Sequence, residues 1–138
     1  MIILDSDVIS EAMRSDSEVL AWLDRQPRAS VWTTAISVLE IRFGIIIMPS
    51  GRRQMEREAA FTRLVQHVLD GRILPFDEAA AEESALLMKL RHSTGRPREI
   101  RDTMIAGIAV AQRATLATRN VRHFDDLSVP VVDPWANR

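Results

Sequence analysis

A doubly wound α/β domain, with a central mainly parallel sheet flanked by helices, is the fold class this sequence predicts. Two observations carry that expectation. Short apolar or β-branched runs such as Ile2-Ile3-Leu4, Ser30 to Thr34 and Thr115 to Thr118 have the character of strands buried on both faces. Segments of helical period separate these runs along the whole chain, which is the alternation that parallel βαβ units require. The 138 residues, 46% of them apolar, match the size of one domain, so residues 1–138 are expected to fold as a single unit.

Ile2-Ile3-Leu4 reads as a strand with Asp5 at its carboxyl end. Val8, Ile9, Ala12 and Met13 stand at helical spacing, with Asp7 placed to cap the first turn. A short helix is expected from Ser17 to Arg25, ended by Pro27, and a second strand over Ser30 to Thr34. Ala35 to Met48 reads as a helix that is apolar nearly all round, stopped by Pro49. Between Ser50 and Leu69 a charged helix carries one apolar stripe, and Gly71 closes it. Arg72 to Phe76 is a brief strand limited by Pro75, after which Asp77 caps an Ala-rich helix reaching about His92. Ser93 to Arg98 is a loop, Arg101 to Arg113 a helix of small residues, and Thr115 to Thr118 and Val129 to Val132 the last strands. No repeat or low-complexity tract is present.

Composition removes several chemistries. The chain has no cysteine, so disulfide frameworks, Cys-based zinc sites and thiol nucleophiles are excluded. Lys plus Arg number 18 against 19 Asp plus Glu, so any attraction for an anionic polymer must be local. No Gly-x-Gly-x-x-Gly or Gly-Lys-Ser/Thr run is present, which excludes the usual nucleotide cradles. No apolar stretch is long enough to span a bilayer, and the first residues do not resemble a signal peptide; a cytoplasmic protein is expected.

Three carboxylates fall where carboxylates are unexpected. Asp5 directly follows an apolar strand, Glu40 lies inside the apolar helix, and Asp102 opens the run Met104 to Ala111. Each has an ordinary reading, as a helix cap, as a partner of Arg42 or another arginine, and as a first-turn acid favoured by the helix dipole. Together they permit a sharper one. Acids that converge at one end of a sheet repel unless a cation lies among them, and oxygen-only ligands suit magnesium or manganese. Such a centre supports hydrolysis of phosphate esters.

The order of the motifs resembles that of PIN-domain ribonucleases, in particular their VapC and FitB branch. The resemblance runs through Met1 to Glu11, Ala35 to Gly44, Asp102 to Ala109 and Leu116 to Phe124, with further likeness at Gly71 to Asp77 and Asp133-Pro134-Trp135. It implies a PIN fold, endoribonuclease activity dependent on Mg2+ or Mn2+, a homodimer, and a cognate VapB-type antitoxin through which the pair would sit on DNA. Carried over by position, Asp5, Glu40 and Asp102 are the metal acids, and Asn120 joins them as a catalytic residue where fuller acidic sets have Asp. Asp7 stands in place of the usual Asn and Ser6 in place of a common Thr. His123, at a position often acidic in relatives, is read as structural or as surface.

RNA must approach this acidic pocket, and the charge for it is arginine. Arg96, Arg98 and Arg101 precede Asp102, and Arg119 and Arg122 follow the last motif strand. Ser6, Arg96, Arg98 and Arg119 are accordingly the expected substrate contacts. With no tyrosine, base stacking is not expected to set specificity. The antitoxin is expected in a groove between the helices around Val8 to Met13 and Ala35 to Met48. Ile45 to Met48 and Trp22 or Trp32 suit either an interface or the core. Two rivals stand beside this: a haloacid-dehalogenase-like phosphatase using Asp5 and Asp7, and a PIN-like scaffold that binds without cutting. The first leaves Glu40 unused and needs a lysine near the phosphate, for which Lys89 is the single candidate.

Overall fold

Five short strands form one sheet in the order β3-β2-β1-β4-β5, namely β1 (Ile2–Leu4), β2 (Val31–Thr34), β3 (Ile73–Leu74), β4 (Thr115–Ala117) and β5 (Val131–Val132). A computed structural model supplies this description, which covers residues 1–15 and 17–136. Each strand pairing is parallel, with Ile3 opposite Trp32 on one side and Leu116 on the other. The chain builds outward from β1 through β2 to β3, then returns to the other side of β1 for β4 and β5. That reversal opens a crevice at the carboxyl ends of β1 and β4, where α/β sheets bind ligands.

Among the described residues six helices cover the two faces: α1 (Ser6–Met13), α2 (Ser17–Asp24), α3 (Ala35–Ile46), α4 (Arg52–His67), α5 (Glu78–Ser93) and α6 (Ile100–Gln112). Alternation along the strands divides the core. Leu4 and Ala117 pack with Val8, Ile9, Phe61 and Leu64, whereas Ile3 and Leu116 pack with Leu87, Ile105 and Ile108. Each fully buried Leu, Ile or Phe contributes about 1.5–3 kcal/mol relative to exposure, so both layers are needed to hold so short a sheet. Trp22 is core at 5% exposure and offers no interface.

Backbone chemistry explains where element boundaries depart from the expected ones. Asp5, not Asp7, caps α1, because Asp5 has the extended backbone of a cap and its side chain accepts from Ser6 N. Glu99 caps α6 by accepting from Arg101 N and Asp102 N, which starts that helix one residue earlier than predicted. β3 keeps only Ile73 and Leu74 of the predicted run, since Pro75 has no N–H for the ladder. β5 likewise begins after Pro130, whose carbonyl accepts from Leu116 N. Gly71, at φ +70°, turns the chain between α4 and β3.

Helix packing is tight in one place and incomplete in another. α5 and α6 approach so closely at Gly107 that a Cβ there would lie 1.9 Å from Ser84 Oγ and 2.6 Å from the Ala80 carbonyl oxygen. The apolar helix α3 has two destinations: Ile36, Ile41 and Ile45 are buried, whereas Leu39, Phe43 and Ile46 are exposed. Among the described residues no helix is long and apolar enough to cross a membrane.

Candidate active site

Asp5 and Thr118 are the first residues beyond β1 and β4, so parallel pairing sets them side by side at the crevice. Asp5 N continues the ladder by donating to the Ala117 carbonyl at 2.9 Å. The Thr118 hydroxyl donates to Asp5 Oδ2 at 2.8 Å, and Ser6 N donates to Asp5 Oδ1 at 2.8 Å. Asp5 is nevertheless buried, and burial, with Asp7 and then Asp102 adding repulsion, raises its pKa from 3.8 to about 7 against those two hydrogen bonds. In the first turn of α1, Asp7 Oδ2 accepts from Arg119 N at 3.0 Å, while its buried Oδ1 has no partner among the described residues. Burial again pushes this carboxyl above its usual range.

Ser6 joins the first acid to the second. Its hydroxyl donates to Glu40 Oε1 at 3.3 Å, so the side chain serves Glu40 while its backbone N–H serves Asp5. Arg42 is not the partner of Glu40; it turns to Glu58 and over the Phe61 ring. Arg101 stands on the other side, with Nη1 4.0 Å from Glu40 Oε2. Burial still raises the Glu40 pKa, and Asp102 adds to the rise. Asp102, half-buried in the first turn of α6, lies 3.1 Å from His123 Nδ1 through its Oδ2. The structure thus brings Asp5, Glu40 and Asp102 within electrostatic reach of one another and ties Ser6 between the first two.

The loop after β4 completes the rim. Asn120 N donates to Thr118 Oγ1 at 3.1 Å, and the Asn120 carbonyl accepts from His123 N at 2.9 Å. Its side chain is exposed. Arg119 lays its guanidinium 4.1 Å from the centre of the Trp135 ring and remains exposed on its other side. Arg96 is exposed, 3.5 Å from Asp125. Arg98 is put to another use than the expected one: it donates to the Arg122 carbonyl at 2.7 Å, faces Asp125 at 3.5 Å, and is 15% exposed.

Four residues matter here that the sequence pattern does not single out. Thr118 looks like no more than the end of a strand, and Arg101 like one of a basic cluster. His123 reads as a surface residue, and its approach to Asp102 depends on a short 3-10 turn, Val121–Phe124, with no clear pattern of its own. Arg91 is hidden in the periodicity of α5, although it is 2% exposed. Its guanidinium grips Asp126 through two hydrogen bonds of 2.9 and 3.0 Å, and donates to Thr103 Oγ1 at 2.8 Å and the His123 carbonyl at 3.1 Å. The one signal for it is the pairing of a basic residue on the inner face of a helix with the acids of the 119–126 loop.

The residues present fit a hard divalent cation by their donor chemistry. The donors are carboxylate oxygens, Asp7 and Asp102 raise the pKa of Asp5 and Asp102 that of Glu40, and among the described residues Asp7 Oδ1 is a buried oxygen without a hydrogen-bond donor. Among the described residues no three His, Asp or Glu side chains are already gathered into a cage, so a cation would have to draw these acids together.

Comparison with known proteins agrees with this geometry. The family model of the PIN domain matches residues 2–129. The VapC ribonuclease Y4jK of Sinorhizobium fredii is 37% identical over 137 residues, 98% of each chain. Toxin FitB of Neisseria gonorrhoeae is 34% identical, covering 98% of this chain and 99% of that one. Among solved structures, FitAB bound to an IR36 DNA fragment superposes with a TM-score of 0.88 at 34% identity, over 98% of this chain and 96% of the other.

Proposed function

The chain belongs to the PIN-domain family, with VapC and FitB toxins as its relatives, and on that premise we propose that it is the toxin of a VapBC-like toxin–antitoxin pair, a Mg2+- or Mn2+-dependent endoribonuclease. The observation that carries the proposal is that Asp5, Glu40 and Asp102 lie near enough to act on one another's charge at the carboxyl ends of β1 and β4, with burial and repulsion raising the Asp5 pKa to about 7 despite hydrogen bonds from Ser6 and Thr118. Acids so placed weaken the fold unless a cation neutralises them, and their position at the carboxyl ends of the strands supports a catalytic role.

Asp5, Glu40 and Asp102 would hold the cation, directly or through water. When bound, it supplies the charge that phosphodiester hydrolysis needs at the phosphate oxygens and at the attacking water. The chain's own groups do the rest. Ser6 and Thr118 fix the carboxylate orientations of Glu40 and Asp5 through their hydroxyls. Asn120 presents a neutral amide to water or substrate. Arg119, braced on Trp135, and Arg96 offer guanidinium groups to the RNA backbone on either side.

The related toxin–antitoxin complexes support an antitoxin as the partner. A groove of about 1050 Å³ bounded by Met13, Gly44, Met48, Arg53 and Arg57 is where we place the antitoxin segment. The exposed apolar residues Leu39, Phe43 and Ile46 of α3 suit the homodimer. DNA contact would come through the antitoxin; the related FitAB pair is bound to a DNA fragment.

Purified, antitoxin-free protein incubated with a structured RNA pool in Mg2+, Mn2+ or EDTA, beside Asp102→Asn, tests the proposal. Cleavage that needs both the metal and Asp102 is expected. Intact RNA with hydrolysis of a phosphate monoester would transfer the assignment to a phosphatase, and inactivity on both would leave a binding scaffold.

A further inference from the structure

We propose that His123 is a nitrogen donor of the same metal centre, adjacent to Asp102, and that it tilts the site toward Mn2+ and its transition-metal neighbours over Mg2+. This inference rests on the metal-dependent reading above. Its basis is the position of the ring. His123 Nδ1 lies 3.1 Å from Asp102 Oδ2, and Asp102 is in turn near enough to Asp5 and Glu40 to raise the pKa of both.

That separation serves two states of the protein. Without a cation, one ring N–H donates to the carboxylate. A separation of 3.1 Å also lets both atoms reach one cation, so the pair would hold it with little movement. The tautomer protonated at Nε2 would leave the Nδ1 lone pair free for the cation.

A half-exposed histidine ordinarily samples several rotamers, but the backbone here is fastened from both directions. The His123 carbonyl accepts from buried Arg91, its N–H donates to the Asn120 carbonyl, and the next residue, Phe124, is 1% exposed in the core. Arg91 also binds Asp126 and Thr103, so one guanidinium ties the loop carrying His123 to the helix carrying Asp102. Such support is what holds a ligating group in place before the metal arrives. An imidazole among carboxylates favours Mn2+ over Mg2+, because Mg2+ prefers oxygen donors more strongly.

Mn2+-loaded protein, without RNA, gives a direct readout. Pulsed electron paramagnetic resonance should show the nitrogen coupling of a coordinated imidazole, and His123→Gln should abolish it while the other two histidines, His67 and His92, remain. In binding titrations of the free protein, His123→Gln should weaken Mn2+ on the order of tenfold and Mg2+ far less. His123→Asp should retain both ions but lose the nitrogen coupling and the Mn2+ preference. Since His123 is 51% exposed, these variants should fold. Mn2+ that binds in an Asp102-dependent manner without nitrogen coupling, or a variant that weakens both ions equally, overturns the role of His123 alone. No Mn2+ binding dependent on Asp5 or Asp102 overturns it together with the metal-dependent reading.

Discussion

Replacing Asp5 by Asn should make the protein more stable at neutral pH, and the structure sets the size of the gain. The carboxyl has a pKa of about 7 in the folded protein against 3.8 for an ordinary aspartate. A raised folded pKa means that the native state holds the proton more tightly, so the stability from Asp5 is complete below about pH 4 and is lost as pH climbs to about 7. Three pH units at about 1.4 kcal/mol each give a ceiling of about 4 kcal/mol above pH 7. The amide recovers this but has one carbonyl for two donors, Ser6 N and the Thr118 hydroxyl. Thr118 can rotate its proton toward Asp7 Oδ2, 3.4 Å away, and accept from the new amide, leaving a loss of about 1 kcal/mol.

The expected net effect is therefore about 3 kcal/mol of added stability at pH 8, shrinking on acidification and reversing sign near pH 4. Urea unfolding in EDTA at a series of pH values measures it, with an unchanged m-value as the check that the midpoint reports stability. Added Mn2+ should stabilise the parent protein and leave Asp5→Asn unmoved, and RNA cleavage should be absent in the variant. A variant less stable than the parent at pH 8, or a difference independent of pH, would refute the claim that the hydrogen bonds to Asp5 fall short of offsetting its burial.

Gly107→Ala should destabilise by about 2 kcal/mol or more, on the order of the usual overpacking penalty, and Ser84→Ala should not restore it because the Ala80 carbonyl stays in place; thermal melts of the single and double variants check this. Arg91→Met should cost about 3–5 kcal/mol by leaving Asp126 partly buried without its partner, and Asp126→Asn should cost less. Arg91 holds the Asp126 carboxyl below its usual range, so the stability from this pair is present above about pH 4 and lost on further acidification; Arg91→Met should flatten that acid limb in unfolding experiments. Arg119→Gln should weaken RNA binding and reduce the slope of log affinity against log salt by about one phosphate contact, while Arg98→Gln should alter stability more than that slope, as read by RNA titrations across salt concentrations.

The sheet was legible because its strands are buried on both faces, which leaves continuous apolar runs that end in Asp5, Thr34 and Thr118. The three acids stood out for the complementary reason, since each interrupts or adjoins an apolar pattern, although Asp5 also serves the ordinary purpose of capping α1. Local chemistry concealed more. Asp5 and Asp7 both look like caps, and only the backbone at Asp5 decides between them. Arg42 is the nearest cation to Glu40 along the chain, yet its side chain points to α4 and the distant Arg101 arrives instead. Arg98 and Arg119 are alike in sequence as arginines flanking a motif, but one is folded into its loop and the other is stacked on Trp135 with a face to solvent. Such choices depend on which side chains meet across the crevice, and a periodic pattern does not carry that information.

The same contacts explain why so unfavourable a cluster is tolerated. Backbone and hydroxyl donors reach Asp5 and Asp7, but they only reduce the cost of burial, as the remaining upward shifts of both acids show. The deficit is carried by other parts of the fold: the two apolar layers, the close α5–α6 contact at Gly107, and the Arg91 clamp on the 119–126 loop. Stability and the acid cluster are thus separable, which is the condition under which an Asp→Asn change at the crevice gains stability while one at the clamp loses it. Were the acids themselves structural, both kinds of substitution would destabilise, and their opposite signs are the distinction that the unfolding experiments measure.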